Sequence, residues 1–575
     1  MIDDTQTIFV ESKYRAYFLS NYVVLEKENF DPEAQTLSLD HVDPIHLSVF
    51  SHRFMSIAEQ MGNTLQRTSI STSIRERLDF SCAIFSPEGD LVANAPHIPI
   101  HLGSMQFAIK YQHRLWHGKL EPGDVLLTNH PEAGGTHLPD LTVITPVFTS
   151  DGQLAFYVAS RGHHTDIGGK GITSMMPDSR ELWEEGLNVK SMKIVSGGEF
   201  LENDVRNAFE RAGSFPGCSP TRRIQDNISD LKAMISSNQR GIVLLRKLCD
   251  EFTLPVVHTY MAGIQANAEA AVRAFLIQVA QEHPDGLKAV DWFDDGTPVA
   301  VTITIDDKTG DTVYDFAGTG PQVWGNYNCP VSITHSAVIY TLRCLIDLDI
   351  PLNEGCLKPV DVRIPKGSIL RPGPNAAICG STPASQRIID VILRAYGRVA
   401  AFQGCANSFG WGMGGRNPDG SIAPGWNYGE SLGGGTGAGP TWHGEHVAQC
   451  HSTNTKNTDP EVIEKRTPVV VRRYGINHGT GGRGRFNGGN GCVREIEART
   501  TLKFSILSDR RVYRPYGLNG GEPGSVGRNF AFKWNEDHTA LDKINVGGKA
   551  ALILEAGEIM QINTPGGGGW GAPSE

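Results

Sequence analysis

The side chains best suited to chemistry gather in residues 129–169. This stretch opens NHPEAGGTHLPDLTVITPVF, closes YVASRGHHTDIGG, and holds His130, His137, Asp140, His163, His164 and Asp166. Eight of the chain's 19 histidines fall between His97 and His164. Imidazole and carboxylate together form the ligand set of a divalent cation that keeps room for water or substrate. A lone histidine is more often structural, and a loop aspartate is more often a cap or turn residue. The grouping gains weight from the local fold it predicts. LTVITPVF and QLAFYVAS read as two strands joined by a Ser-Asp-Gly turn. Antiparallel pairing across that turn carries residue 163 back beside residue 140. His137, Asp140 and His163 then meet without any long-range assumption. On residue type alone two readings stand: a metal site, or a hydrogen-bonded loop cluster with no ion.

Two further residues need a reason for their positions. Asp79 begins the predicted strand DFSCAIF between Leu78 and Phe80. An unpaired carboxylate is costly to bury, so it points into a site or turns to water or Arg77. His101 directly precedes a helix predicted to start near Leu102.

The elements that must position these groups follow from periodicity. Asp43-Pro44 caps a long helix whose Phe50, Phe54, Ile57, Met61 and Leu65 share one face, ending near Gln66 or Arg67. DFSCAIF and GDLVANA form a β-hairpin, and DVLLTN is a buried strand. Residues 170–216 read as irregular, with the character of a lid. Helices are predicted over about 221–251, 258–282, 331–348 and 384–401. The sequence around 286–316 reads as antiparallel strands, and KPVDVRIPKGSIL as a strand pair. TQTIFVE and NYVVLEK read as short strands of a leader. After Gln403 glycine becomes frequent, but no G-x-x-x-x-G-K-[ST] loop occurs, so tight turns and close backbone packing are expected there. The three histidines of WHGEHVAQCHSTNT lack the H-E-x-x-H spacing and read as polar loop packing.

The expected class is α+β, a multi-domain mixed fold. It has an N-terminal metal-binding α/β region, a helical middle and a glycine-rich, β-rich C-terminal region. The divisions fall at 1–42 (leader or linker), 43–216, 217–285 (helical), 286–402 and 403–575. A chain of 575 residues exceeds one hydrophobic core, which agrees with several domains. Its formal charge of −11 gives no basic excess of the kind nucleic-acid binding requires. No apolar run reaches a membrane span and no signal-peptide pattern opens the chain, so a cytoplasmic protein is expected. The ten cysteines form no CxxC pair and are expected as reduced, mostly buried thiols.

Longer blocks carry a family resemblance. ERLDFSCAIF, APHIPIHLGSM, GDVLLTNHPEAGGTHLPDLTVITPVF, YVASRGHHTDIGG, GNYNCP, NTKNTDPEV, RPYGLNGGEPG and TPGGGGWG together resemble the hydantoinase B family over roughly 43–575. The wording is most similar to the B half of fused 5-oxoprolinases, and DDTQTIFVE resembles the tail of a preceding A half. The resemblance implies an ATP-dependent cyclic-amide hydrolase. In it an A-type component with an actin-like ATPase fold phosphorylates a lactam or imide oxygen. The B-type component then completes opening of a 5-oxoproline- or hydantoin-like ring, or carboxylation in relatives acting on ketones. A non-catalytic scaffold for the ATPase half is the third alternative. The family's metal ligands fall on His137, Asp140 and His163, with Asp79 as fourth. His101, His164 and Asp166 are implied beside them as proton-moving groups. The implied cofactors are a divalent metal (zinc, manganese or iron) and ATP used by the partner. The implied partners are an A-type ATPase subunit or half, in a hetero-oligomer, and a small cyclic amide.

Overall fold

The computed structural model describes residues 41–573, together with 10, 14–20, 22–27, 37 and 39. The site is set up by an antiparallel sheet of seven strands. In spatial order they are Leu91–Asn94, Phe80–Phe85, Leu154–His163, Asp140–Phe148, Val125–Thr128, Met192–Ser196 and Glu199–Phe200. Helices cover both faces, which is why the central strands read as near-continuous apolar runs. Successive side chains still alternate between the faces. Cys82, Ile84, Val143 and Val158 enter one core with the helices Pro44–Thr68 and Ile224–Phe252. Ala83, Phe85, Ile144 and Tyr157 enter another with Met105, Ala108 and Ile109 of the helix Pro99–Leu115.

The first helix begins as its sequence predicts. The Asp43 carboxylate accepts the His46 backbone N–H at 2.8 Å, and Pro44 occupies the first turn, where its missing N–H has no role. Phe50 stacks on Tyr260 of the helix Leu254–Glu282, with ring centroids 4.4 Å apart. The helical segment expected at 217–285 has no core of its own. Ile224–Phe252 lies on the seven-stranded sheet. Leu254–Glu282 buries Val257 and Ile264 in the first core and Val272 and Leu276 in a second.

That second core joins the helices Val331–Leu345 and Ser381–Tyr396 to a four-stranded sheet. Its strands are Leu287–Trp292, Pro298–Ile305, Thr312–Asp315 and Val360–Arg363. The expected strand pair in KPVDVRIPKGSIL is a single strand, Val360–Arg363, parallel to Thr312–Asp315. Pro365 and the turn at Gly367 end it. The 170–216 region is also more ordered than expected. Met192–Ser196 extends the large sheet, and Glu202–Arg211 is a helix that buries Val205, Ala208 and Phe209. Both elements are too short for a strong periodic signal. In the leader, NYVVLEK contains the strand Val23–Lys27, paired with Tyr14–Phe18. TQTIFVE lies outside the described residues except for Val10.

The C-terminal region holds a four-stranded and a five-stranded antiparallel sheet around Phe409, Trp411, Ile496, Phe504 and Met560. Its glycines thread backbone against backbone. Gly567 donates to Gly489 O at 2.9 Å, Gly482 donates to Gly567 O at 2.8 Å, and Ala438 donates to Gly568 O at 3.0 Å. A Cβ on Gly567 would run into the Thr436 carbonyl, and one on Gly568 into that of Tyr516. Each of the ten cysteines is a free thiol, and eight are buried. Among the described residues no helix is long and apolar enough to cross a membrane.

Candidate functional site

Strand register does most of the assembly. Asp140, at the start of its strand, pairs directly with His163, at the end of the next. On the other side of that strand Phe80 pairs with Gly162, and the His163 N–H donates to Asp79 O at 3.0 Å. Asp79, His163 and Asp140 therefore end three adjacent strands on one edge of the sheet. His137 joins them through a tight loop in which Asp140 N–H donates to His137 O at 2.9 Å. Gly134 takes φ 81° there, a conformation that disfavours any residue with a Cβ. Arg161, fully buried, pins the loop by donating to Gly134 O at 2.9 Å, Thr142 Oγ1 at 2.8 Å and Ser104 Oγ at 2.6 Å. His101 enters from the first turn of Pro99–Leu115.

The side chains form one buried network. Asp140 Oδ1 lies 2.9 Å from His163 Nδ1, while Oδ2 accepts from Thr136 Oγ1 at 2.8 Å and lies 3.3 Å from His101 Nε2. Burial works to raise the Asp140 pKa, but charge and hydrogen bonds from His101 and His163 hold it well below the usual carboxylate range. His101 Nδ1 is oriented by Ser81 Oγ at 3.1 Å, and His163 Nε2 meets Ser174 Oγ at 3.1 Å. The Asp79 carboxylate lies 3.4 Å from the Arg77 guanidinium. His137 stacks on His163 with ring centroids 5.5 Å apart. Burial pushes its pKa down to about 4, against the pull of Asp140, so it is a neutral imidazole at pH 7. Neither of its ring nitrogens has a hydrogen-bond partner.

Asp79, His101, His137, Asp140, His163 and Ser174 line a single cavity of about 40 Å³, which is room for an ion or a water molecule. The donor chemistry suits a divalent cation: two carboxylates, imidazoles, and one imidazole left without a partner inside the protein. Among the described residues, however, no three His, Cys, Asp or Glu side chains are arranged around a common ion position. Asp140 instead turns toward His163, His101 and Thr136.

The structure separates His164 and Asp166 from this network. Both line a different cavity, and their bonds run to the helix Ile224–Phe252 and the turn before it. His164 Nδ1 meets Asn227 Nδ2 at 3.2 Å. Asp166 Oδ2 accepts from Arg222 Nε at 2.5 Å, and Oδ1 accepts the Gly168 N–H at 2.9 Å. A carboxylate so engaged cannot readily take a proton. His130 is a cap, its Nδ1 accepting the Glu132 N–H at 3.0 Å. In WHGEHVAQCHSTNT, His443 and His446 accept the Asn487 and Asn490 N–H groups, each at 2.9 Å, as polar loop packing. Sequence reasoning missed Arg161 and Ser174. Arg161, a lone cation inside an apolar strand, was a readable signal; Ser174, in an irregular stretch, left none.

The family model for hydantoinase B/oxoprolinase matches residues 43–573. This chain belongs to that family. It is 69% identical to 5-oxoprolinase PfmaA of Pestalotiopsis fici over 576 residues, covering 100% of this chain but 45% of that protein. The chain thus spans about half the length of the 5-oxoprolinases it matches. The B-type subunit of a putative D-/L-hydantoinase from a Pseudomonas strain is 26% identical, covering 93% of this chain and 91% of that one. Two solved structures share the fold. Nucleotide-free acetone carboxylase aligns with a TM-score of 0.79 at 18% identity, covering 94% of this chain and 77% of that one. The ATP-dependent caprolactamase from Pseudomonas jessenii aligns with a TM-score of 0.78 at 22% identity, covering 92% and 91%. The family member described here is therefore a mixed α/β protein related to fused 5-oxoprolinases and to a separate B-type hydantoinase chain.

Proposed function

We propose that this chain is the B-type component of an ATP-dependent cyclic-amide hydrolase. It would open a 5-oxoproline- or hydantoin-like ring that an A-type ATPase half has activated by phosphorylation. The observation that carries this reading is the strand register, which brings Asp79, Asp140 and His163 to one sheet edge beside the unpartnered His137.

Asp79, His137, Asp140 and His163 would hold the divalent metal, which when bound supplies Lewis-acid polarisation of an amide oxygen and a more acidic water. The protein's own groups do the rest. Asp140 stays ionised at neutral pH, and its bonds to His101 and His163 orient both rings. His101, held between Ser81 and Asp140, is the group placed to move a proton within the network. Arg161 fixes the loop that carries His137. The cavity holds little more than one small occupant, so a ring substrate requires Ser174 and Met175, from the 170–216 cover, to move aside.

The test uses the complete ATP-dependent enzyme. His137→Ala should remove bound metal, measured by elemental analysis, and abolish lactam opening, while ATP hydrolysis persists in part. Full ring opening by a metal-free variant would refute the reading. Product analysis with and without bicarbonate separates ring opening from carboxylation.

A further inference from the structure

A second cavity lies where the N-terminal sheet and its helices meet the C-terminal β-domain, and ring opening at the cluster makes no use of it. Its volume is about 360 Å³, within the range of small-ligand sites. Its wall includes His164, Asn227, Asp230, Trp426 and Tyr428. His164 is 1% exposed, and its Nε2 has no hydrogen-bond partner.

Asn227 settles what that nitrogen is. Asn227 Oδ1 accepts from Thr221 Oγ1 at 2.8 Å, and Nδ2 donates to Asp166 O at 2.9 Å. The same Nδ2 lies 3.2 Å from His164 Nδ1. An amide NH₂ only donates, so Nδ1 is the acceptor and the imidazole proton sits on Nε2. The wall therefore presents a buried N–H with nothing to receive it, and buried polar groups in folded proteins have partners. Asp230 supplies the complementary function. It is 1% exposed; Oδ1 accepts the Ile70 and Ser71 N–H groups at 2.9 and 3.4 Å, and Oδ2 takes no backbone donor. The other carboxylates on the wall are paired, Asp166 with Arg222 and Asp226 with Arg223. Arg466, also on the wall, is exposed to solvent.

A donor, an acceptor and an indole face together match a secondary amide. Its C=O would take the His164 N–H, its N–H would give to Asp230, and its flat body would lie on Trp426. We propose that this cavity binds small cyclic amides, as a holding site distinct from the cluster. The cavity stands on its own geometry, and the choice of a cyclic amide as ligand rests in part on the ring-opening reading. His164 follows His163 directly, so a ligand here braces the strand end that carries a cluster imidazole.

Calorimetric titration of the full chain with 2-pyrrolidinone and with N-methyl-2-pyrrolidinone tests this. The first probe should bind, and the second should bind about tenfold more weakly, because it leaves Asp230 without its donor. His164→Phe should weaken 2-pyrrolidinone binding by about tenfold or more, Trp426→Ala should also weaken it, and His137→Ala should leave it unchanged. Equal affinity for the two probes, or unchanged binding in His164→Phe, overturns the proposal. So does a crystal soaked in 2-pyrrolidinone with only water at Nε2. Binding lost in His137→Ala but kept in His164→Phe places the lactam at the cluster, which ends this proposal and leaves ring opening intact. Lactam binding as expected, with ring opening retained in metal-free His137→Ala, ends the ring-opening reading and leaves this site. If His164→Phe fails to fold, Trp426→Ala and the N-methyl probe decide.

Discussion

Two buried polar clusters in this protein differ in how completely they satisfy themselves. One is the strand-edge group around His137 and Asp140. The other joins the strand Leu287–Trp292, the helix Ser381–Tyr396 and the turn 508–511. There Arg387 pairs with Asp509 at 2.5 Å, and Arg510 pairs with Asp291 at 2.6 Å and Asp390 at 3.1 Å. His451 Nε2 closes on Asp390 at 3.2 Å. Arg387 and Arg510 each leave only a buried Nε–H without a partner, on a head group otherwise paired. His137 has no partner at either nitrogen. The first cluster turns toward a missing occupant; the second turns inward and ties the second core to the C-terminal sheets. Burial alone does not distinguish a site from a structural joint. The unpaired donor set does.

The largest effect should come from breaking the inward-facing cluster. Arg510→Ala leaves Asp291 and Asp390 buried without their shared cation, a class of change that costs about 3–5 kcal/mol. Denaturant unfolding should register that loss, with the soluble yield falling. Asp140→Asn acts on the other cluster. It should lower metal content at least about tenfold, read by elemental analysis of dialysed protein, while the fold survives. If it unfolds the chain as readily as Arg510→Ala, the contrast between the clusters is wrong.

A pH series sharpens the comparison. Burial pushes the Asp509 pKa up to about 6, against the opposing charge of Arg387. An acid whose pKa is raised on folding binds more protons in the native state. Its destabilising share is therefore full above pH 6 and is relieved as pH falls toward its unfolded value near 4. The stability difference between the wild type and Asp509→Asn should change between pH 6 and about 4 and level off on either side. A difference that stays flat across that window would show the carboxyl to be unperturbed. The smallest effect belongs to Ser174→Ala, which removes the 3.1 Å contact to His163 Nε2. It should cost about 1 kcal/mol in unfolding experiments and leave metal content intact.

Much of the cluster was legible because its parts are local. LTVITPVF and QLAFYVAS are long apolar strands with a turn between them, and antiparallel pairing follows from so short a connection. The Asp140–His163 pairing is therefore written in the sequence. Asp79 was readable as a carboxylate at a strand start, but its place next to His163 depends on which strand borders which. His164 and Asp166 looked equivalent to His163 by spacing. They part because the chain leaves the sheet at His163, and the helix Ile224–Phe252, about 60 residues on, supplies their partners. The strand Met192–Ser196 and the single strand in KPVDVRIPKGSIL were obscure because short elements take their identity from the neighbour they pair with.

By itself the sequence determined the strands and helices with strong periodicity, the family, and a hairpin that must return His163 to Asp140. Those properties need only contacts between residues near in the chain, where alternation and turn length leave one solution. Tertiary structure alone decided that His137 lacks a partner, that His164 faces a separate cavity, and that five charged side chains from three distant segments pair in the interior. Each depends on which surfaces meet across hundreds of residues, and no local pattern encodes that meeting.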